Sequence, residues 1–188
     1  MDSKFYKFIK PVVKFIFRFL YRPEVKGIDN IPGGGVVLVG NHTKWLDPIM
    51  IVACTNRQVH FLAKDSLFKG LVGYIVRGMG AIPVNRKTHD KEALCSAKNC
   101  LKNGCVVGVF PEGTINRTND VVMPFKIGAV KMSYDTDSFL VPFVIKGKYQ
   151  LFRKSIKLEF LEPIKVSKNL SLENNNLMAL ISSKLEEN

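Results

Sequence analysis

Acidic residues are scarce: 16 Asp and Glu stand against 28 Lys and Arg, giving a formal net charge of +12 and a pI near 9.6. An excess of that size favours anionic partners: lipid headgroups, an acidic carrier protein or nucleic acid. Nucleic acid fits least, because zinc-finger spacing and RNP-type aromatic motifs are missing and the cations run through the chain as well as gathering at its start. No uninterrupted run of about 20 apolar residues occurs, which excludes a bilayer-spanning helix. A cleaved leader is not expected, since cations break every apolar stretch near the amino terminus. The turn Ile31-Pro32-Gly33-Gly34-Gly35 lacks the Gly-Lys-Ser/Thr ending of a nucleotide-binding loop. No Gly-x-Ser-x-Gly elbow is present for a serine nucleophile. Of four cysteines, Cys95, Cys100 and Cys105 recur every five residues, unlike the Cys-x2-Cys pairs of zinc sites, and Cys54 stands alone in an apolar segment. They are expected to be reduced, mostly buried thiols of a cytosolic protein, with no metal and no cofactor. Repeats and low-complexity tracts are absent, and 188 residues with 46% hydrophobic content suit one domain with a substantial core.

Two short segments carry chemistry. Asn41-His42-Thr43-Lys44-Trp45-Leu46-Asp47 sets a histidine and a carboxylate five residues apart, just beyond the apolar run Val36-Val37-Leu38-Val39. A histidine held by a carboxylate is a general base, because the carboxylate fixes which ring nitrogen carries the proton and leaves the other to accept one. Five positions on a helix correspond to roughly 140° of rotation, so contact between His42 and Asp47 requires a non-helical segment between them. Pro48 agrees, and Asp47-Pro48 reads as a helix start with Asp47 as its cap. The second segment, Phe110-Pro111-Glu112-Gly113-Thr114, follows the strand-like run 105–109. A buried parallel strand ending in such a turn delivers Glu112 and Thr114 to the carboxyl edge of a sheet, where open α/β folds build their sites.

Together these segments resemble two of four ordered motifs of the glycerolipid acyltransferase family, of the 1-acylglycerol-3-phosphate O-acyltransferase type. NHTKWLD is similar to the first motif. Gly80-Ala81-Ile82-Pro83-Val84-Asn85-Arg86 resembles the second, FPEGT the third, and Val141-Pro142 within Leu140–Ile145 the fourth. The likeness spans about residues 36 to 145, with further agreement at Phe61-Leu62-Ala63-Lys64 and Phe125-Lys126-Ile127-Gly128-Ala129.

The resemblance implies roles. His42 takes the proton from an acceptor hydroxyl as it attacks an acyl thioester, and Asp47 orients the imidazole. Transfer is direct, without an acyl-enzyme. Arg86 is implied as the phosphate clamp, since a guanidinium fork pairs two phosphate oxygens. Glu112, Gly113 and Thr114 are implied to line the acceptor pocket, their carboxylate and hydroxyl binding glycerol, with Lys64 and Lys126 as auxiliary cations. Two positions depart from the family pattern. Ile115 stands where an arginine usually follows FPEGT, so Arg117 is the candidate to replace it, and Lys44 occupies a place usually held by a small hydroxyl residue. The expected reaction is acyl transfer from acyl carrier protein or coenzyme A to a lysophospholipid acceptor, 1-acylglycerol 3-phosphate. Two alternatives stay open: another lysolipid or hydroxyl acceptor, and a non-catalytic membrane-binding protein of the same fold.

The amino terminus offers a means of reaching lipid. Lys4, Lys7, Lys10, Lys14, Arg18 and Arg22 fall within an arc of roughly 120° on a helical wheel. Phe5, Phe8, Ile9, Val12, Val13, Phe15, Ile16, Phe19 and Leu20 fill the opposite side, the signature of a helix lying in a membrane interface. The expected location is therefore the cytoplasmic face of the cell membrane, as a peripheral protein on an anionic surface. The expected fold is α/β: residues 1–22 form the amphipathic helix, and 23–188 form a single domain with a mixed, mostly parallel sheet flanked by helices. Strands are expected near 36–39, 59–63, 81–84, 105–110, 139–145 and 156–161. Helices are expected after Pro48, over 65–77, over 90–103 ending at Gly104, and over the last 20 residues.

Overall fold

The computed structural model describes residues 4–85 and 90–187. Its elements run α1 (Lys4–Tyr21), β1 (Glu24–Lys26), β2 (Val36–Gly40), α2 (Asp47–Cys54), β3 (Val59–Lys64), α3 (Gly70–Gly78), β4 (Ile82–Val84), α4 (Lys91–Lys102), β5 (Val106–Val109), α5 (Gly128–Asp135), β6 (Phe139–Gly147), β7 (Ile156–Phe160) and α6 (Leu170–Glu186). The seven strands form one sheet in the order β1-β7-β6-β2-β5-β3-β4, with every pairing parallel except β6 against β7. This is the expected mixed, mostly parallel sheet.

Central strand β2 reads as a continuous apolar run rather than an alternation because both of its faces are covered. Val36 and Leu38 enter the core beneath α1 and α2, while Val37 and Val39 enter the core shared with α4, α5 and α6. All four are fully buried, and each such side chain contributes about 1.5–3 kcal/mol. The chain passes from β2 out to β3 and β4, then returns to insert β5 between β2 and β3. The carboxyl ends of β2 and β5 thus lie side by side, with Val39 opposite Val109. On its other side β2 meets β6, where Gly40 pairs with Phe143.

Three expectations are corrected. Residues 65–77 are not one helix: a 3₁₀ turn covers Asp65–Phe68, Lys69 is extended, and Gly70 at φ 58° opens α3. Asp47 is the first residue of α2 rather than its cap, because its carboxylate reaches back to the turn before the helix. The cysteines are not mostly buried. Only Cys54 is, its thiol pushed up to about 11 by that burial, whereas Cys95 is exposed and Cys100 and Cys105 are half-buried. The helix over 90–103 appears as α4, whose cap Asp90 accepts from the backbone of Ala93 at 2.9 Å. Hydrogen bonds from Ala93 and then Asn85 hold the Asp90 carboxyl below its ordinary range.

Helix α1 has three faces. Tyr6 and Phe17 are buried, Val13 and Tyr21 pack beside them, and this stripe docks the helix on α2 and the first core. Lys10 donates to the Asn56 carbonyl at 2.9 Å. A second apolar stripe of Phe8, Val12, Phe15, Ile16 and Phe19 faces outward, with Phe8 75% and Phe15 72% exposed. No helix among the described residues is long and apolar enough to cross a membrane.

Candidate active site

His42 and Asp47 meet at the carboxyl edge of β2. His42 Nδ1 lies 2.8 Å from Asp47 Oδ2, and the backbone between them turns so that the N–H groups of Thr43 and Lys44 donate to the same oxygen at 2.6 and 2.8 Å. The Thr43 hydroxyl (3.1 Å) and the Tyr149 hydroxyl (2.6 Å) donate to Oδ1. Asp47 is fully buried, and every group facing its carboxylate is a donor. A carboxylate only accepts, so the proton of the neutral imidazole sits on Nδ1 and the lone pair on Nε2. His42 is 8% exposed, and its ring stacks on Phe110 at 3.9 Å between centroids and 16° between planes. Two contacts in different directions, one to a carboxylate and one to a ring face, thus fix the orientation of the imidazole.

The third motif holds His42 by its backbone. The His42 N–H donates to Glu112 Oε1 at 2.9 Å, and its carbonyl accepts from Asn116 at 2.9 Å. The other Glu112 oxygen accepts from the Met123 N–H at 2.9 Å. Glu112 is 4% exposed, and with each oxygen engaged by a backbone N–H it ties the first motif to the loop that follows the third. Gly113 adopts φ 74°, and a Cβ there would stand 2.9 Å from Lys126 Nζ, so glycine lets the Lys126 amine lie over the turn. Thr114 and Arg117 are exposed on the same loop, and Lys64 is exposed at the end of β3, on the same sheet edge. Arg86 lies outside the described residues. Two glycines of α3 are packing sites: a Cβ on Gly73 would strike the Phe68 backbone, and one on Gly78 the Phe5 ring.

Two contributors escaped sequence reasoning. Tyr149 lies 102 positions from Asp47 and no motif contains it. Burial, then the Asp47 charge, raises its hydroxyl well above the ordinary tyrosine range, which keeps it a donor. Asn41 exchanges two buried hydrogen bonds with the Ile145 backbone, at 2.9 and 2.8 Å, and pins the end of β2 to β6 one residue before the base. Its place beside His42 in the first motif was the available signal.

Residues 22–146 match the sequence profile of the family described as Acyltransferase. This chain belongs to the acyltransferase family. Among acyltransferases of known name, it is 30% identical over 189 residues to the 1-acyl-sn-glycerol-3-phosphate acyltransferase of Bacillus subtilis, covering 97% of this chain and 94% of that one. It is 33% identical over 136 residues to the enzyme of the same name from Borreliella burgdorferi, covering 70% of this chain and 54% of that protein's length. The crystal structure of the 1-acyl-sn-glycerophosphate (LPA) acyltransferase PlsC from Thermotoga maritima has the same fold, with a TM-score of 0.77 at 24% identity over 96% of this chain and 78% of that one.

Proposed function

We propose that the protein transfers a fatty acyl group from acyl carrier protein or coenzyme A to the 2-hydroxyl of 1-acylglycerol 3-phosphate, giving phosphatidic acid. The observation that carries this reading is the His42–Asp47 pair, held at 2.8 Å and braced by the FPEGT turn. His42 Nε2 accepts the hydroxyl proton as the oxygen adds to the thioester carbonyl. The tetrahedral intermediate then expels the thiolate, which takes that proton from the imidazolium, so the base is restored without an acyl-enzyme. Asp47 stabilises the imidazolium, and Tyr149 and the two backbone N–H groups keep the carboxylate in place. Arg86 clamps the acceptor phosphate, with Lys64, Lys126 and Arg117 adding positive charge at the same edge. Thr114 and the Gly113 turn line the acceptor side. The name and near full-length match of the Bacillus subtilis relative support the choice of acceptor.

The reaction takes place on the cytoplasmic face of an anionic membrane. The outward stripe of α1 continues through Phe5 to Tyr74 of α3 (5.6 Å between rings) and through Phe19 to Phe152 (5.7 Å), giving an apolar face broader than one helix with cations along its margin. A second reading, an acyltransferase for a different lysolipid, is favoured by Ile115 and Lys44. Purified protein is to be assayed with labelled acyl-carrier and coenzyme A thioesters against a panel of lysophospholipids and small alcohols. Preference for 1-acylglycerol 3-phosphate supports the first reading and preference for another lysolipid the second. Absence of transfer to any acceptor removes both and leaves a membrane-binding protein.

A further inference from the structure

At the opposite edge of the sheet from His42, three ligand-type side chains converge from separate elements. His60 on β3 pairs in register with Val107 of β5, so its side chain shares the face of the sheet that α4 covers. Cys105 lies two residues before Val107 and on the same face. Cys100 comes from the last turn of α4, which folds back so that the Cys105 N–H donates to the Cys100 carbonyl at 3.0 Å. One ligand atom from each of His60, Cys100 and Cys105 lies within 4.8 Å of the other two.

We propose that His60, Cys100 and Cys105 form a binding site for a borderline-soft divalent ion, zinc first, with its fourth position open to water. Two thiolates and one imidazole are a known zinc ligand set, and two sulfurs about 2.3 Å from a tetrahedral ion stand about 3.8 Å apart, a spacing inside the 4.8 Å within which these ligand atoms lie. Two thiolates also neutralise the dication. The Cys100 thiol is pushed up to about 12, first by burial and then by its hydrogen bond with Cys105, so its proton leaves only as the sulfur–metal bond forms. Binding the ion displaces the protons of both thiols, and both pass to solvent.

Two features outside the ligands point the same way. His60 Nδ1 lies 2.7 Å from the Gly80 carbonyl, which fixes the proton on Nδ1 and presents Nε2 as the ligating atom, the usual arrangement behind a metal-bound histidine. Gly80 allows this approach: it sits at φ 80°, and a Cβ there would stand 2.8 Å from that nitrogen. The second feature is Gln58, which is 92% buried and whose Oε1 has no hydrogen-bond partner among the described residues. Gln58, His60 and Cys105 line the same cavity of about 630 Å³, which gives an ion its way in. An orphaned buried acceptor costs about 1–3 kcal/mol, and a water on the ion's fourth position supplies the missing donor.

The test uses the full chain, reduced with a phosphine and stripped of metal, titrated with Co²⁺ as a spectroscopic probe and then with Zn²⁺. The expected result is one equivalent of Co²⁺ bound with release of two protons and a thiolate-to-cobalt charge-transfer band, which Zn²⁺ abolishes by displacing the cobalt without further proton release. Cys100→Ser, Cys105→Ser and His60→Ala are each expected to lose the band, while Cys95→Ser keeps it. Gln58→Leu retains all three ligands and is expected to weaken binding about 10–100-fold. Absence of the band in wild type overturns the site, as does a band that survives Cys100→Ser and Cys105→Ser. A Cys100–Cys105 disulfide in the purified protein that binds no cobalt after reduction also overturns it.

Discussion

Replacing Tyr149 by Phe removes one oxygen and leaves the ring, so its edge contacts with Phe17 and Tyr21 persist while Asp47 Oδ1 keeps only the Thr43 hydroxyl at 3.1 Å. A hydrogen bond to a charged group contributes about 1.5–3 kcal/mol, and the lower end applies here because the carboxylate retains four other donors. If that energy is felt when the imidazolium forms, about 1.5 kcal/mol lowers kcat about tenfold. The acceptor is not touched, so KM holds. The same energy lowers Tm by about 3–6 °C in a chain of this length. Steady-state transfer in lysolipid micelles, with calorimetry on the same samples, separates the two effects. A fall in Tm with kcat unchanged refutes the reasoning, because the bond then supports the fold without supporting the base.

Arg117→Ala is expected to raise the KM for the lysolipid with kcat retained, and unchanged kinetics remove Arg117 as the substitute for the arginine missing at Ile115. The triple substitution Phe8→Ser, Phe15→Ser, Phe19→Ser strips the outward stripe of α1 without touching Tyr6 or Phe17. At even about 1 kcal/mol per ring, binding to anionic vesicles falls by about a hundredfold, and undiminished co-flotation contradicts the membrane role. Asp90→Asn tests the α4 cap. The folded carboxyl titrates below its ordinary range, so its stabilisation is present above the unfolded-state value near about 3.9 and is lost as pH falls through the folded value. The Tm advantage of wild type over Asp90→Asn is therefore expected near neutrality and shrinks in acid, and a constant difference excludes that origin.

Much of the fold was legible because its signals are local. The unbroken Val36–Val39 run marks a strand buried on both faces, and Asp90 with Gly104 brackets α4. The three-residue β1 carries no periodicity to read, and α5 (Gly128–Asp135) escaped because neither cap nor amphipathic pattern announces it. The site divides in the same way. His42 and Asp47 are close in sequence, so their pairing was legible. Tyr149 reaches Asp47 only because β6 lies beside β2, and a contact across 102 residues leaves no trace in either segment. Glu112 was expected at the acceptor because the family resemblance implies that role for FPEGT. Only the packing of 110–123 against the first motif turns it inward. Tyr6 and Phe17 fall between the basic and apolar arcs of α1, so the wheel located the outward stripe better than the docking one.

The central claim is that His42 Nε2 removes the acceptor proton. Its most direct test is the single-turnover rate of acyl transfer to 1-acylglycerol 3-phosphate by His42→Gln against wild type, with vesicle binding and Tm measured alongside. Loss of a positioned general base predicts a fall of about 10²–10⁴-fold with the other two measurements unchanged. Transfer at the wild-type rate by a folded, membrane-bound His42→Gln protein contradicts it.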